Sequence, residues 1–189
     1  MTEPPSVPFE SAAAWEAWLA EHQGDVDGVF VKIAKKASGI PTVTHAEALD
    51  IALCYGWIDG KRKSFDDTWF LQLFTPRRAR SKWSKVNCGK VEQLIAEGRM
   101  QPGGLREIER AKADGRWDAA YDAPSTATVP DDLRAALDAN PDAAAMFATL
   151  SSQNRFAILF RIHDAKRPET RARRIDQFVT MLSEGRALY

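Results

Sequence analysis

Two runs constrain the fold more than any others: WIDGKRKSF, residues 57–65, and TWFLQLF, residues 68–74, separated only by Asp66-Asp67. Aromatic and branched side chains of this kind suit a pleated, half-buried surface better than a helix. A short polar break between two such runs is a hairpin signal. In the second run Trp69, Leu71 and Leu73 face one way, and Thr68, Phe70, Gln72 and Phe74 the other. Strands this close in sequence leave no room for a crossover helix, which excludes a doubly wound parallel sheet. A third run, GVFVKIAKK, alternates Val29, Val31 and Ile33 with Phe30 and Lys32, as a strand does. The expected fold class is therefore α+β, with a small antiparallel-type sheet of about three strands covered by helices.

The covering helices carry their own punctuation. Ser11 reads as the N-cap of a helix with Trp15, Trp18 and Leu19 on one face, stopped near Gly24. Thr44-His45-Ala46-Glu47 reads as a capping box ahead of Leu49 and Leu53, with Gly56 at C′. Thr75-Pro76 reads as a turn into helical structure. Asn87 then caps a helix with Val91, Leu94 and Ile95, ended by Gly98. Pro102 sits in the first turn of the next, with Leu105 and Ile108 inward and Gly115 as its stop.

After APSTATVP, residues 123–130, the periodicity is helical only. Helices open at Pro130, Pro141 and Pro168. The last buries Ile175, Phe178, Val179 and Leu182 and turns Arg171, Arg173 and Arg174 to water. The expected division is an α+β domain at 1–122, a linker at 123–130 and an all-helical C-terminal unit at 131–189.

Charge is uneven in a chain whose 26 Lys/Arg equal its 26 Asp/Glu. Residues 61–90 hold nine Lys/Arg against Asp66 and Asp67, a balance of +7, while 101–150 sum to −4 and 151–189 to +4. Trp57, Trp69 and Trp83 fall in or beside the basic stretch. Rings interleaved with cations suit an anionic or aromatic-bearing ligand, nucleic acid among them. The candidate ligand-binding set is Trp57, Lys61, Arg62, Trp69, Arg77, Arg78, Arg80, Lys82 and Trp83. Arg77, Arg78, Arg80 and Lys82 weigh most, because free N–H groups at the expected helix start after Pro76 would add to anion attraction. The plainer alternative is that the rings are core and the cations solvate its outer face.

A catalytic alternative uses Asp59 as acid/base with Lys61 or Arg77 as electrophilic support, although a structural ion pair is the better explanation of such an Asp. Gly56-Trp-Ile-Asp-Gly60-Lys61-Arg62 is one residue short of a phosphate loop and has Arg62 where that loop has a hydroxyl. Cys54 reads as core, and Cys88, beside the expected cap, as a thiol that a helix N-terminus would acidify. His22, His45 and His163 lie far apart and no CxxC or HExxH occurs, so neither metal nor cofactor is expected. The absence of GxSxG argues against a nucleophile elbow. No apolar run is long enough to span a bilayer, the N-terminus lacks signal-peptide features, and two cysteines build no disulfide framework. A cytoplasmic protein is expected, with self-association through the C-terminal helix as a third functional reading.

The run from Val43 to Asn87, with LIAEGRM after it, resembles the YdeI/OmpD-associated family of bacteriocin-protection proteins. The C-terminal run from Pro130 to Gly185 is similar to that family's helical tail, whose AK…ETR.RRI segment is present at 165–175. The resemblance implies a role in tolerating bacteriocins, antimicrobial peptides or related stress, and it carries over no catalytic residues.

Overall fold

Strands β3 (Trp57–Ser64) and β4 (Trp69–Pro76) form the antiparallel hairpin. Asp66 closes its turn, Oδ1 accepting from the N–H groups of Thr68 and Trp69 at 2.8 and 2.7 Å. The computed structural model describes residues 3–189 and divides into two compact units, one ending at Ala120 and one beginning at Tyr121. β4 also pairs antiparallel with β2 (Val29–Ala34), and the order across the sheet is β1-β2-β4-β3. The fourth strand, β1 (Ser6–Pro8), was not among the expected three and makes the sheet mixed, because it runs parallel to β2. Pro8 within it and Pro4 and Pro5 before it disguise it, since proline tolerates strand structure only at an edge.

One sheet face carries Val29, Val31, Ile33, Trp57, Phe70 and Phe74 into the main core. Helices α1 (Ala12–His22) and α2 (His45–Cys54) belong to the same cluster. Ser11 caps α1, and Trp15, fully buried, donates its indole N–H to the Ala48 carbonyl at 3.1 Å. The capping box of α2 forms reciprocally between Thr44 and Glu47. Nearly every residue of α2 from Ala48 onward is buried, because the helix is enclosed by α1, β3, α3 (Lys85–Ala96) and α4 (Pro102–Ala113). Gly56 ends it with φ +80°; a Cβ there would lie 2.8 Å from the Gly103 carbonyl oxygen. A Cβ at Gly104 would collide with the Cys54 carbonyl. Two glycines thus let the start of α4 meet the end of α2 backbone to backbone.

Three expectations for this unit need correction. The chain stays extended through Pro76 and then loops, so no helix starts at Thr75-Pro76. The cap of α3 is Ser84, whose hydroxyl accepts from the Asn87 N–H at 3.1 Å; Asn87 is its partner, not the cap. α4 buries Gly104, Ile108 and Ala111, and Leu105, one residue or about 100° off that stripe, is 41% exposed.

In the second unit α5 (Asp131–Asp138), α6 (Pro141–Thr149), α7 (Ser152–His163) and α8 (Pro168–Ser183) enclose a core of Leu133, Leu137, Phe147, Ile158, Ile162, Ile175, Phe178 and Leu182. Val179 is only half-buried at its margin. Residues 121–130 belong to this unit and are packed: Ala127 and Val129 lie against its core, and Thr126 N–H returns to the Ala123 carbonyl at 3.0 Å. Arg173 is exposed as expected, but Arg171 and Arg174 are not simply solvated. Arg171 grips Asp132 at 2.5 and 2.9 Å and donates to the Ile162 carbonyl at 3.1 Å, and Arg174 donates to the Arg161 carbonyl. Among the described residues no helix is long and apolar enough to cross a membrane.

Candidate functional site

The hairpin register breaks between Asp59 and Arg62, where Gly60 and Lys61 form a bulge. Gln72, 4% exposed, holds that bulge by donating its amide to the Gly60 carbonyl at 2.8 Å. The extra residue sets which side chains share a face. Asp59 lies opposite Phe74 and Arg62 opposite Gln72, so both point to the helix-covered side. There Asp59 meets His45 Nε2 at 3.1 Å, and the Arg62 guanidinium stacks 3.7 Å from the Phe70 ring centre.

Lys63, opposite Leu71, lies on the other face. Phe30 and Leu71 are also there, buried but outside the main core cluster. The Lys63 ammonium stands 4.7 Å from the Phe30 ring centre, and that of Lys32 stands 4.3 Å from Phe65 and 4.8 Å from Trp69. Phe65 is 53% exposed and Trp69 half-buried. Glu3 pairs with Lys63; that hydrogen bond, with the Lys63 charge and then Lys61, holds the Glu3 carboxyl below the usual range.

The loop at 77–84 is folded by two of the residues expected to bind. Arg77, 6% exposed, lays its guanidinium 3.5 Å from the Trp83 ring centre and donates to the Lys82 carbonyl at 3.1 Å. Trp83 is 2% exposed and packs on Trp117 at 5.0 Å. Arg116 donates to the Ser81 carbonyl at 2.8 Å, and Ser81 Oγ accepts from the Arg78 N–H at 2.9 Å. The loop so held presents Arg78, Arg80 and Lys82 to solvent.

The nine candidates therefore fall into three places. Trp57, almost fully buried, and Arg77 both line a cleft of about 400 Å³ beside the start of α4, with Gln101, Gly103, Arg106 and Glu107. Lys61, Arg62 and Trp69 belong to the hairpin. Arg78, Arg80, Lys82 and Trp83 belong to the loop. Sequence reasoning passed over Lys32, Lys63 and Phe65 as site residues; the alternation of Lys32 within β2 was a signal, but only the β2–β4 register brings it beside Trp69. His45 as the partner of Asp59 was likewise invisible without the packing of α2 on β3.

Burial pushes the thiols of Cys54 and Cys88 up to about 11, so the expected acidification of Cys88 does not occur; the nearby Arg77 charge opposes the shift without overcoming it. Among the described residues no three His, Cys, Asp or Glu side chains are grouped to hold a metal ion. In the second unit a cavity of about 160 Å³ lies among Tyr121, Phe156 and Phe160, with His163 and Arg171 on its wall.

Comparison with known families divides the chain much as its structure does. Residues 7–107 match the model described as Domain of unknown function (DUF8412), and residues 126–185 match the one described as bacteriocin-protection, YdeI or OmpD-associated. The YdeI/OmpD likeness is thus carried by the helical tail, while the phrases from Val43 to Asn87 fall within the other model. No curated protein and no solved structure matches the chain. Through the model that covers more than half of it the chain belongs to the DUF8412 family, and its helical unit is a bacteriocin-protection, YdeI or OmpD-associated domain.

Proposed function

We propose that the protein is a non-catalytic binding protein that contributes to bacteriocin or stress tolerance by taking an anionic partner on the basic side chains of its first unit. The observation that carries this reading is the placement of Lys61, Arg62, Arg78 and Arg80. All four are exposed on the hairpin and the 77–84 loop, and none forms an ion pair among the described residues. Exposed cations without an ion-pair partner draw an external anion faster than a neutral surface does. Arg77 and Trp83 support the loop that displays the others. The proposed setting is the cytoplasm, where Cys54 and Cys88 stay reduced.

The test is titration of the full chain with inorganic polyphosphate at low salt. Replacing Lys61, Arg62, Arg78 and Arg80 by Gln is expected to weaken binding at least ten-fold while the circular dichroism spectrum is unchanged. Equal affinity in the two proteins would overturn the proposal.

One observation favours a catalytic alternative: the His45–Asp59 pair is a carboxylate-oriented imidazole, the arrangement of a general base. Of its expected supporting cations, Arg77 is engaged with Trp83 and Lys82. Screening small esters and phosphoesters for turnover that Asp59→Asn abolishes, with folding intact, tests it; no such turnover leaves the binding reading alone.

A further inference from the structure

We infer that the outer face of the sheet is a stacking surface for single-stranded nucleic acid, an inference that rests on the reading of this unit as a binder of anions. The register arranges that face in rows. Lys32 on β2 and Lys63 on β3 both lie opposite Leu71 of β4, forming a cationic row across the sheet. One step along, Trp69 lies opposite Ala34, and the Phe65 N–H donates to the Trp69 carbonyl at 3.3 Å, which places an aromatic row beside the cationic one. Same-face positions on a strand are about 7 Å apart, so ring and charge alternate on the scale of one nucleotide's base and phosphate.

The Lys32 ammonium lies over both the Phe65 and Trp69 rings, 4.3 and 4.8 Å from their centres, and each ring has a second face. A chain that seals Trp15, Trp57 and Trp83 to 2% exposure or less leaves Phe65 53% exposed. An open ring gains little from an acidic peptide, whereas every unpaired base offers it a π-face. A duplex keeps its bases stacked on one another and offers the rings nothing. Glu3 pairs with Lys63 within the field of Lys61, so an oxyanion already occupies one end of the cationic row. A nucleic-acid phosphate would compete with that carboxylate for the same ammonium.

The experiment is fluorescence anisotropy of the full chain with a fluorescein-labelled oligothymidylate, challenged by a duplex of the same length, an oligoglutamate and anionic lipid vesicles. The oligothymidylate is expected to bind at least ten-fold tighter than the duplex. Phe65→Ala and Trp69→Ala are each expected to weaken it about five-fold or more. Lys32→Gln and Lys63→Gln should each lower the salt slope by roughly 0.7, and Glu3→Gln should tighten binding. Phe65 is exposed, so its variant keeps the test decisive if Trp69→Ala fails to fold. Equal binding of single strand and duplex, a preference for oligoglutamate or vesicles, or indifference to Phe65→Ala would overturn this inference and leave the anion-binding reading standing. Failure of both oligothymidylate and polyphosphate to bind would overturn the two together.

Discussion

In the first unit Lys61, Arg62, Arg78 and Arg80 reach solvent without an ion pair among the described residues, whereas Arg155, Arg171 and Arg174 of the second unit end on that unit's own backbone. Arg155 donates to the Phe147 and Ala148 carbonyls at the end of α6, and Arg171 and Arg174 donate to those of Ile162 and Arg161 at the end of α7. The difference lies in the architecture. Each helix leaves its last four carbonyls without intrahelical partners, and a unit of short helices offers many such acceptors to a guanidinium. The carbonyls of β4, paired on both sides, are taken up across the sheet and are not offered to the hairpin's cations. Local sums of +7 and +4 look alike in kind on paper, yet part of the second is spent on helix-end carbonyls through Arg155, Arg171 and Arg174.

The cores differ as well. Trp15, Trp57, Trp83, Phe30 and Phe74 are the largest fully buried groups of the first unit, while Leu133, Ile158, Ile162 and Leu182 hold those places in the second. All six tryptophans precede Ala120, so indole fluorescence reports the first unit, whereas helical circular dichroism reports both.

That contrast can be broken by mutation. Trp15→Ala should cost about 3–5 kcal/mol in the urea transition followed by fluorescence, because it removes a sealed ring and its bond to Ala48. Leu182→Ala should cost about 2–5 kcal/mol in the transition followed by circular dichroism and move the fluorescence transition far less. Equal shifts in both signals would mean that the two cores unfold as one.

A smaller effect separates neighbours in the loop. Arg77→Gln removes a stacked guanidinium and its donor to Lys82, for an expected loss of about 1–3 kcal/mol. Arg78→Gln should stay within about 0.5 kcal/mol in the same denaturation and act on polyphosphate binding instead. Matching stability losses would show that both arginines are structural.

The smallest effect concerns pH. The hydrogen bond from Arg171, followed by weaker local contributions, holds the Asp132 carboxyl below the usual range. A depressed folded value means that the pair stabilises fully above the unfolded carboxylate value near 3.9 and loses that contribution as pH falls through the lower folded value. Asp132 is 45% exposed, so the contribution should not exceed about 1 kcal/mol. Denaturation of the wild type and Arg171→Gln from pH 7 downward should show a stability gap that shrinks below about pH 4.

Local features were legible from sequence. The hairpin, the Thr44/Glu47 box and the Gly56 stop each depend on residues a few positions apart. What escaped depends on pairing across the chain. β1 is defined only by its register with β2, and the Lys32–Lys63 row exists only because both strands flank β4. Arg77 and Arg78 are adjacent and chemically identical in sequence; a ring that comes six residues after Arg77 makes one structural and leaves the other exposed. The polyphosphate and oligothymidylate candidates are assigned to surfaces that periodicity alone could not assemble.

The most direct measurement is the slope of log affinity for polyphosphate against log salt in three proteins: the wild type, the variant with Lys61, Arg62, Arg78 and Arg80 made Gln, and the variant with Arg171 and Arg174 made Gln. The slope is expected to fall by up to roughly 0.7–0.9 for each cation lost from the hairpin and loop. The tail variant is expected to keep an unchanged slope, whatever its stability. A slope retained by the hairpin variant and lost by the tail variant would contradict the binding proposal.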